Sequence, residues 1–297
     1  AITIHRHGNE TWRDHVVGWC AIFPAVDIEI EEYRAMSLLS ATGIEYSIDR
    51  VPILQGIDFH VDKGELVGVI GPNGAGKSRL LRLMTGIEAP DRGEIRLQDQ
   101  AVAQISAQQR ARWLGYLVQG ARAYWPFSVE KVVGLGRIPY QKWWQQASTE
   151  DQAKIEAAMV MTETLAYRNR IVTTLSGGEQ TLVMLARIFA TENQLILADE
   201  PVAALDPYHQ LHVMEILRQH AQRDRAAVVV LHDLSLAARF CDRLYLLGHG
   251  ELECSGSVDQ VLTKENIARV YGVDGQIEYS EKGVSVIPLT RVSDHHP

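Results

Sequence analysis

Residues 71–78 read Gly-Pro-Asn-Gly-Ala-Gly-Lys-Ser, a pattern that strongly limits the fold of a chain that carries it. An apolar run, Leu66–Ile70, comes directly before this segment, and residues 79–84 continue with the apolar spacing of a helix. Such a run is typical of a buried parallel strand, so the order is strand, glycine-rich loop, helix. This order predicts a P-loop, in which backbone N–H groups and the start of the helix surround phosphate oxygens.

The loop also supplies side chains suited to a nucleotide and to Mg²⁺. The Lys77 ammonium can reach the terminal phosphates, and the Ser78 hydroxyl can bind Mg²⁺. The alternative is a glycine turn that happens to end in Lys-Ser, which ordinary glycine usage produces in roughly one such chain in a hundred. We therefore expect nucleotide contacts from Gly71, Pro72, Asn73, Gly74, Ala75, Gly76, Lys77, Ser78 and Arg79.

Three further polar side chains follow apolar runs. Asp199 and Glu200 come directly after residues 195–198, and His232 follows residues 227–231. Because strand ends in open α/β sheets face the ligand crevice, these side chains are expected near the phosphates. Asp199 suits Mg²⁺, Glu200 can act as the base on the attacking water, and His232 can contact the γ-phosphate. A solvated acidic turn or helix cap, and a structural histidine, are the alternatives.

Residues 175–180 read Leu-Ser-Gly-Gly-Glu-Gln, a third motif with its own physical logic. Ser176 can cap a helix that begins at Gly177, and the free N–H groups at that helix end would bind an anionic γ-phosphate. A capped helix without any ligand is the alternative.

This hexapeptide resembles the signature sequence of ABC-type ATPases, and the P-loop, residues 195–200 and His232 match other motifs of that family in the same order. The resemblance covers residues 38–271. It identifies Gln119 as the Q-loop glutamine, which contacts Mg²⁺ and reports the γ-phosphate, and Asp206 as the end of the D-loop. It implies an α/β fold: a P-loop NTPase core of mixed sheet and helices, an antiparallel β subdomain and an inserted helical subdomain.

The resemblance also implies ATP and Mg²⁺ as cofactors and a homodimer. In the family, the signature of one subunit closes over the ATP that the other subunit holds. That contact would come here from Ser176, Gly177 and Gly178, beside Asp206 of the D-loop.

Residues 133–140, 198–201, 206–210 and 231–239 resemble a narrower group, the ATP-binding subunits of importers for iron-siderophore complexes, haem and cobalamin. The likeness implies integral-membrane permease subunits, an extracytoplasmic substrate-binding protein and a peripheral position on the cytoplasmic face of the cell membrane. Iron-siderophore complexes are the cargo expected first; haem or cobalamin import, or a regulatory ABC ATPase without transport, are the alternatives.

In that family the permease docks on the stretch after the Q-loop, residues 121–128 here. Its aromatic residues, Tyr124, Trp125 and Phe127, suit an apolar docking surface, although packing within the helical insertion would explain them too.

Several positions depart from the family pattern, among them Ile48 and Arg79. Ile48 lies where many relatives carry an aromatic ring that stacks on adenine, while Tyr46 shares its strand face and could substitute. Arg79 stands where threonine is usual. Neither departure removes a group needed for phosphoryl transfer.

Composition narrows the function classes. A formal charge of -8 argues against a nucleic-acid partner bound through its phosphates. Three cysteines without metal-type spacing indicate reduced thiols. No segment approaches the roughly twenty apolar residues of a membrane span, so we expect another chain to form the pore. A ribosome-acting ABC protein would carry two cassettes, and a chromosome-organising one a long coiled coil; neither is present.

The expected organisation has three parts. Residues 1–35 are predicted to be a non-native or disordered extension before Met36, and residues 36–272 the ATPase domain, with the helical subdomain inserted at about 121–190. Residues 273–297 are treated as a tail without predicted structure. Within the domain we expect strands at 44–48, 53–61, 94–97, 227–231 and 243–247, and helices at 149–164, 207–223 and 234–240.

Overall fold

The computed structural model describes residues 37–141, 147–203, 205–280 and 283–292. The predicted N-terminal extension, Cys20 and Ala204 of the D-loop lie outside these ranges. The strands are β1 (Ser37–Ile48), β2 (Val51–Asp62), β3 (Leu66–Ile70), β4 (Arg92–Leu97), β5 (Gln100–Ala101), β6 (Leu114–Leu117), β7 (Leu195–Asp199), β8 (Ala226–Val230), β9 (Arg243–Gly248), β10 (Glu251–Gly256), β11 (Val273–Ser280) and β12 (Gly283–Arg291).

The α-helices of the same ranges lie between these strands. They are α1 (Lys77–Met84), α2 (Ala107–Trp113), α3 (Val129–Gly134), α4 (Thr149–Met161), α5 (Gly177–Ala190), α6 (Pro207–His220), α7 (Leu234–Phe240), α8 (Val258–Val261) and α9 (Lys264–Tyr271). No helix in this part of the chain combines the length and apolar character that a membrane span needs.

The central sheet has the strand order β10-β9-β3-β8-β7-β6. Five of its strands run parallel to one another, in the order β9-β3-β8-β7-β6, and β10 pairs antiparallel with β9 at one edge. Strand β8 lies between β3 and β7. Because parallel strands end at the same edge of a sheet, the loops that follow β3, β7 and β8 come together.

Both faces of the central sheet are covered, as its continuous apolar strands predict. Every residue of β3, β7 and β8 is buried. In β7, Ile196 and Ala198 join one hydrophobic cluster, whereas Leu195 and Leu197 join a second cluster on the opposite face. This pattern follows from the period of two along a strand and from the helices and sheets that cover a parallel sheet on both sides.

A separate antiparallel sheet has the order β2-β1-β4-β5. Its buried side chains, including Ile44, Ile57 and Phe59, share one hydrophobic cluster with Leu80 and Leu81 of α1. The sheet therefore packs over the helix that begins at the P-loop, and it brings the end of the β1–β2 hairpin close to that loop.

Helices α3, α4 and α5 lie between β6 and β7 and pack on one another, with α5 against both others. Each begins at a serine cap, Ser128, Ser148 or Ser176. A buried ion pair joins this group, because Arg137 Nε donates to Asp151 Oδ1 at 2.7 Å. Burial raises the pKa of Asp151, but the hydrogen bonds from Arg137 and Ser148 more than reverse this and hold it at about 2.

The C-terminal strands β11 and β12 form an antiparallel hairpin. The hairpin packs against α9 and α7, and Val286 of β12 is buried in the same hydrophobic cluster as Leu236 and Ala237 of α7. The segment treated as a tail in the sequence therefore contains two strands, Val273–Ser280 and Gly283–Arg291.

The predicted fold class is confirmed: a mixed sheet with helices, an antiparallel β sheet and a run of helices inserted between strands. Several details differ, and helix α4 ends at Met161 rather than at 164. Strand β1 begins at Ser37, seven residues before the predicted start. Strand β6 was not predicted. Helix α6 ends at His220 rather than at 223.

Candidate nucleotide-binding site

The P-loop leaves the end of β3 and turns into α1. Gly71 has a φ of 146°, and an added Cβ would lie 2.2 Å from the Leu247 carbonyl oxygen. Gly76 has a φ of 92°, and an added Cβ would lie 2.5 Å from Leu54 Cδ2. Both positions therefore require glycine, because backbone from β9 and a side chain from β2 pass directly against the loop.

The loop also holds its own lysine. Lys77 Nζ donates to the carbonyl oxygen of Gly71 at 2.7 Å and to that of Pro72 at 2.8 Å. Burial lowers the pKa of Lys77, and the carboxylates of Glu200 and Asp199 partly oppose this change. The site thus keeps one buried cation in the centre of a loop that carries free N–H groups.

Ser78 and Asp199 meet beside the lysine. Ser78 Oγ donates to Asp199 Oδ1 at 2.9 Å. Asp199 is buried at the end of β7, and this burial raises the pKa of its carboxyl group. The pair places a hydroxyl oxygen and a carboxylate oxygen together, which are the hard oxygen donors that Mg²⁺ prefers.

Glu200 follows Asp199 in a left-handed backbone conformation, with a φ of 51°. Gln119 Nε2 donates to its Oε2 at 2.6 Å, and His232 Nε2 lies 2.6 Å from its Oε1. Both oxygens of the carboxylate are therefore engaged. The three side chains come from the loops after β6, β7 and β8, which the sheet order brings to one edge.

A cavity of about 580 Å³ opens over these groups. The hydrogen-bonded side chains Gln119, Glu200 and His232 line one part of it, and Ile48 and Ile53 of the β1–β2 hairpin line another. The remaining lining residues are Asn73, Gly74, Ala75, Gly76, Lys77, Ser78 and Arg79. The space thus runs from polar, charged groups to an apolar wall.

The start of α5 carries the Ser-Gly-Gly motif on an exposed surface. Ser176 Oγ accepts from Glu179 N at 3.3 Å, and Ser176 N donates to Glu179 Oε2 at 2.7 Å. Ser176 and Gly177 are exposed and Gly178 is half-buried, and an added Cβ on Gly177 would meet no atom within 4 Å. The predicted cap is confirmed, and the helix begins at the surface of the protein.

The sequence match is decisive at this point. Residues 54–203 match the sequence profile of the ABC transporter family. The chain belongs to the ABC transporter family. It is an ATPase subunit of that family, and the nucleotide it binds is ATP.

Similar proteins include ATP-binding subunits of importers. The chain is 39% identical over 260 residues to the hemin import ATP-binding protein HmuV of Pseudomonas putida, covering 86% of this chain and all of that protein. It is 37% identical over 234 residues to the cobalamin import ATP-binding protein BtuD of Halobacterium salinarum, covering 78% of this chain and 58% of that protein.

A solved structure agrees with the fold. The chain is similar to part of a metal-chelate type ABC transporter in an inward-facing conformation, with a TM-score of 0.74 and 26% identity. The similarity covers 85% of this chain and 98% of that chain.

Within this ABC ATPase, the predicted site residues fall into two places. The P-loop, Gln119, Asp199, Glu200 and His232 come together at the cavity. Residues Ser176, Gly177 and Gly178 are not among those that line it, and neither is Asp206. Asp206 instead caps α6, accepting from His209 N at 3.0 Å.

The sequence analysis identified only one of the two isoleucines that form the apolar wall of the cavity. Ile48 lines the cavity, but Tyr46 does not; its ring lies 5.2 Å from Arg79 Cζ, and a hydrogen bond with Glu88 raises the pKa of its hydroxyl. Ile53 was not predicted, since an isoleucine in an alternating strand carries no signal that distinguishes a ligand contact from a core position.

Proposed function

We propose that this ABC ATPase hydrolyses ATP to drive import of a metal chelate through separate membrane permease subunits. The observation that carries the proposal is the convergence of Lys77, Ser78, Asp199, Glu200 and His232 at one sheet edge. The names of the relatives support haem as cargo, with cobalamin second. The iron-siderophore complex expected from the sequence is a third candidate.

Ser78 and Asp199, with Gln119 nearby, form the proposed Mg²⁺ site. Their oxygens fit the ion, and the described residues hold no cluster of three or more His, Cys, Asp or Glu side chains that would suit a different metal. Bound there with ATP, Mg²⁺ would neutralise charge on the β- and γ-phosphates. The buried Asp199 carboxylate holds its place through the Ser78 hydroxyl.

Lys77 is the proposed phosphate ligand. Its ammonium now satisfies two carbonyl oxygens of its own loop, so bound phosphate exchanges those bonds for stronger, charge-assisted ones. Because the amine is buried, water competes weakly for it. The backbone N–H groups of residues 73–78 complete the cradle.

Glu200 is the proposed base that orients and polarises the attacking water. In the structure its two oxygens are held by Gln119 and His232. A γ-phosphate that draws both of those N–H donors to itself would release the carboxylate toward water. Gln119 would then report the γ-phosphate to the permease side of the subunit.

A second copy of the chain is the proposed source of the remaining contacts. The start of α5 is exposed and does not line the cavity, yet its free N–H groups suit an anionic γ-phosphate. We therefore assign Ser176, Gly177 and Gly178 to the ATP held by the partner, with Asp206 near the same interface.

The exposed aromatic side chains mark the proposed permease contact. Tyr124 and Trp125 are 83% and 71% exposed, and Phe127 is 44% exposed. Large exposed rings close together suit an apolar partner surface. We place this ATPase peripherally at the cytoplasmic face of the membrane, with an extracytoplasmic substrate-binding protein as indirect partner. Its ATPase domain would comprise residues 36–272, with residues 121–190 as the helical subdomain.

The Glu200→Gln variant tests the proposal. In a detergent-solubilised complex with the cognate permease, we expect ATP hydrolysis to fall at least about a hundredfold, as is typical when a general base is removed. ATP binding, measured by a fluorescent analogue, is expected to persist. Glu251→Gln, at an exposed glutamate of β10, is the matched control and should keep wild-type activity. Equal hydrolysis by Glu200→Gln and wild type would remove Glu200 from this role.

Cargo is tested separately in proteoliposomes that contain the permease and its binding protein. Uptake of haem, cobalamin and an iron-siderophore complex is compared at equal ATP. Haem uptake that disappears with Glu200→Gln supports haem as the cargo. Uptake of cobalamin alone, or of the iron-siderophore complex alone, would make that compound the cargo instead.

A further inference from the structure

The first turn of α6 carries polar side chains to which the proposed function assigns no role. Tyr208, His209 and Gln210 lie just after Asp206, the end of the D-loop. They belong to residues 206–210, one of the stretches that resemble the importer group, yet none of them lines the nucleotide cavity. Their contacts instead join the D-loop to the helices that precede it in the chain.

His209 is bonded to the D-loop through both its ring and its backbone. Its ring atom Nδ1 lies 2.8 Å from Asp206 Oδ2, and its backbone N–H donates to Asp206 Oδ1 at 3.0 Å. Because an ionised carboxylate can only accept, Nδ1 carries the hydrogen of the first bond. Gln210 Nε2 donates to the Val202 carbonyl oxygen at 3.4 Å. The first turn of α6 therefore holds both ends of the segment 202–206.

The His209 ring also lies against the signature turn, residues 176–178. An added Cβ on Gly178 would lie 3.9 Å from His209 Cγ and 3.4 Å from Leu205 Cδ2, which is ordinary van der Waals contact. Leu205 directly precedes Asp206. The second glycine of the signature turn therefore packs on the D-loop and on α6 of its own subunit.

Tyr208 adds a second contact with the preceding helices. Its ring stands edge-on to the His209 ring, with centroids 5.4 Å apart and an angle of 90°. Its hydroxyl donates to Glu163 Oε2 at 3.2 Å, and Glu163 lies in the turn after α4. The start of α6 is thus joined to the end of α4 as well as to the start of α5.

The cap of α6 alone does not explain a histidine at position 209. Asp206 caps this helix through the backbone N–H of residue 209, which any residue except proline would supply. The half-buried ring adds the bond with Asp206 Oδ2 and the contact with Gly178. Both additions act between the D-loop and the signature turn, the two segments assigned to the partner's ATP.

We propose that His209 is a positioning residue, which fixes the D-loop relative to the signature turn so that both meet the partner's ATP as one unit. Without the ring, each segment must be ordered separately when the dimer closes, and this ordering costs free energy. The cost falls on closure and not on binding of ATP by the P-loop, which His209 does not contact. This inference rests on the proposed assignment of the signature turn to the partner's ATP.

The variants His209→Ala and His209→Asn separate this role from a structural one. Asparagine keeps an N–H donor near the position of Nδ1, whereas alanine keeps only the backbone N–H that completes the cap. In the permease complex, His209→Ala should lower kcat about tenfold, the worth of one hydrogen bond to a charged group, with KM for ATP changed less than twofold. His209→Asn is the matched control and should keep kcat within about threefold of wild type. Both variants should keep a melting temperature close to that of wild type, because the cap is retained.

Closure is measured directly in the full chain that also carries Glu200→Gln, which should retain ATP. Light scattering over a range of protein concentrations gives the concentration for half-maximal dimer formation with ATP. Adding His209→Ala should raise this concentration about tenfold, in line with the fall in kcat, and His209→Asn should largely restore it.

Ser176→Ala distinguishes failure of this inference from failure of the assignment on which it rests. A wild-type kcat in His209→Ala, beside a reduced kcat in Ser176→Ala, would overturn the role of His209 alone. Equal losses of kcat in His209→Ala and His209→Asn would also overturn it, because the bond with Asp206 would then not matter. A wild-type kcat in Ser176→Ala would overturn the assignment of the signature turn, and the role of His209 with it.

Discussion

At the scale of single residues, the polar groups of the site satisfy one another. Lys77 is bonded to two carbonyl oxygens, Ser78 to Asp199, and Glu200 to Gln119 and His232. Each of these groups also suits a part of Mg²⁺-ATP. Binding therefore exchanges internal hydrogen bonds for contacts with phosphate and metal, and the geometry around the phosphates requires little rearrangement before the exchange.

The part of the cavity proposed for adenine offers fewer specific contacts than the phosphate end. Ile48 and Ile53 offer an apolar wall without a ring, so Ile48→Tyr should add stacking on adenine. Stacking of a base on an aromatic side chain is worth about 1–3 kcal/mol, and we expect KM for ATP to fall at least fivefold in steady-state kinetics. Val51→Tyr is the control, because Val51 lies at the same hairpin end but does not line the cavity. Equal effects of the two variants would contradict a specific adenine contact.

At the scale of elements, two helices begin with the same device. Ser148 caps α4 and Ser176 caps α5, each through a capping box with the residue three positions later. Both serines accept a backbone N–H, so the two caps should contribute similar stability. Of these two helices, only α5 begins at a Gly-Gly pair, whose first residue, Gly177, is exposed, and this is the arrangement assigned to the partner's ATP.

Ser148→Ala and Ser176→Ala therefore form a matched pair. Each is expected to lower the free energy of unfolding by about 1 kcal/mol in urea titrations. Only Ser176→Ala is expected to reduce ATP hydrolysis by the permease complex, by tenfold or more, because it alone removes a group that we assign to the partner's γ-phosphate. A similar loss of activity in both variants would assign the effect to stability.

The sequence was enough to predict the elements whose functional residues are close together in the chain. A strand, a glycine loop and a helix are adjacent in the chain, so the P-loop was predictable, as were Asp199 and His232 at the ends of apolar strands. Strand β6 was missed because its four residues, Leu114–Leu117, are too few for a periodic signal. The C-terminal hairpin was missed because its buried positions depend on α7 and α9.

At the scale of the whole molecule, the core between α5 and α6 contains a titratable group. His220 ends α6 in a buried position, with its ring 5.5 Å from that of Phe189. Burial, and then the charge of Arg225, lower the pKa of His220 to about 3. The folded state therefore keeps the ring neutral at pH values where the unfolded chain, with an ordinary pKa near 6.5, takes up a proton.

This difference makes the fold sensitive to mild acid. The folded pKa lies below the unfolded one, so the unfolded state binds more protons and stability falls as pH drops from about 6.5 toward about 3, by about 1.4 kcal/mol per unit. We expect His220→Leu to lose less stability than wild type between pH 7 and pH 4.5 in urea titrations followed by tryptophan fluorescence. Parallel losses in the two proteins would show that His220 does not govern this range.

The exposed position of the α5 N-terminus, away from the cavity that holds the P-loop, has a consequence for how the protein works in a population. A single molecule can bind ATP at its P-loop but lacks the α5 N-terminus that a second copy would place over the γ-phosphate. The rate of ATP hydrolysis should therefore rise faster than in proportion to the protein concentration. A permease that holds two copies side by side would remove this dependence on concentration.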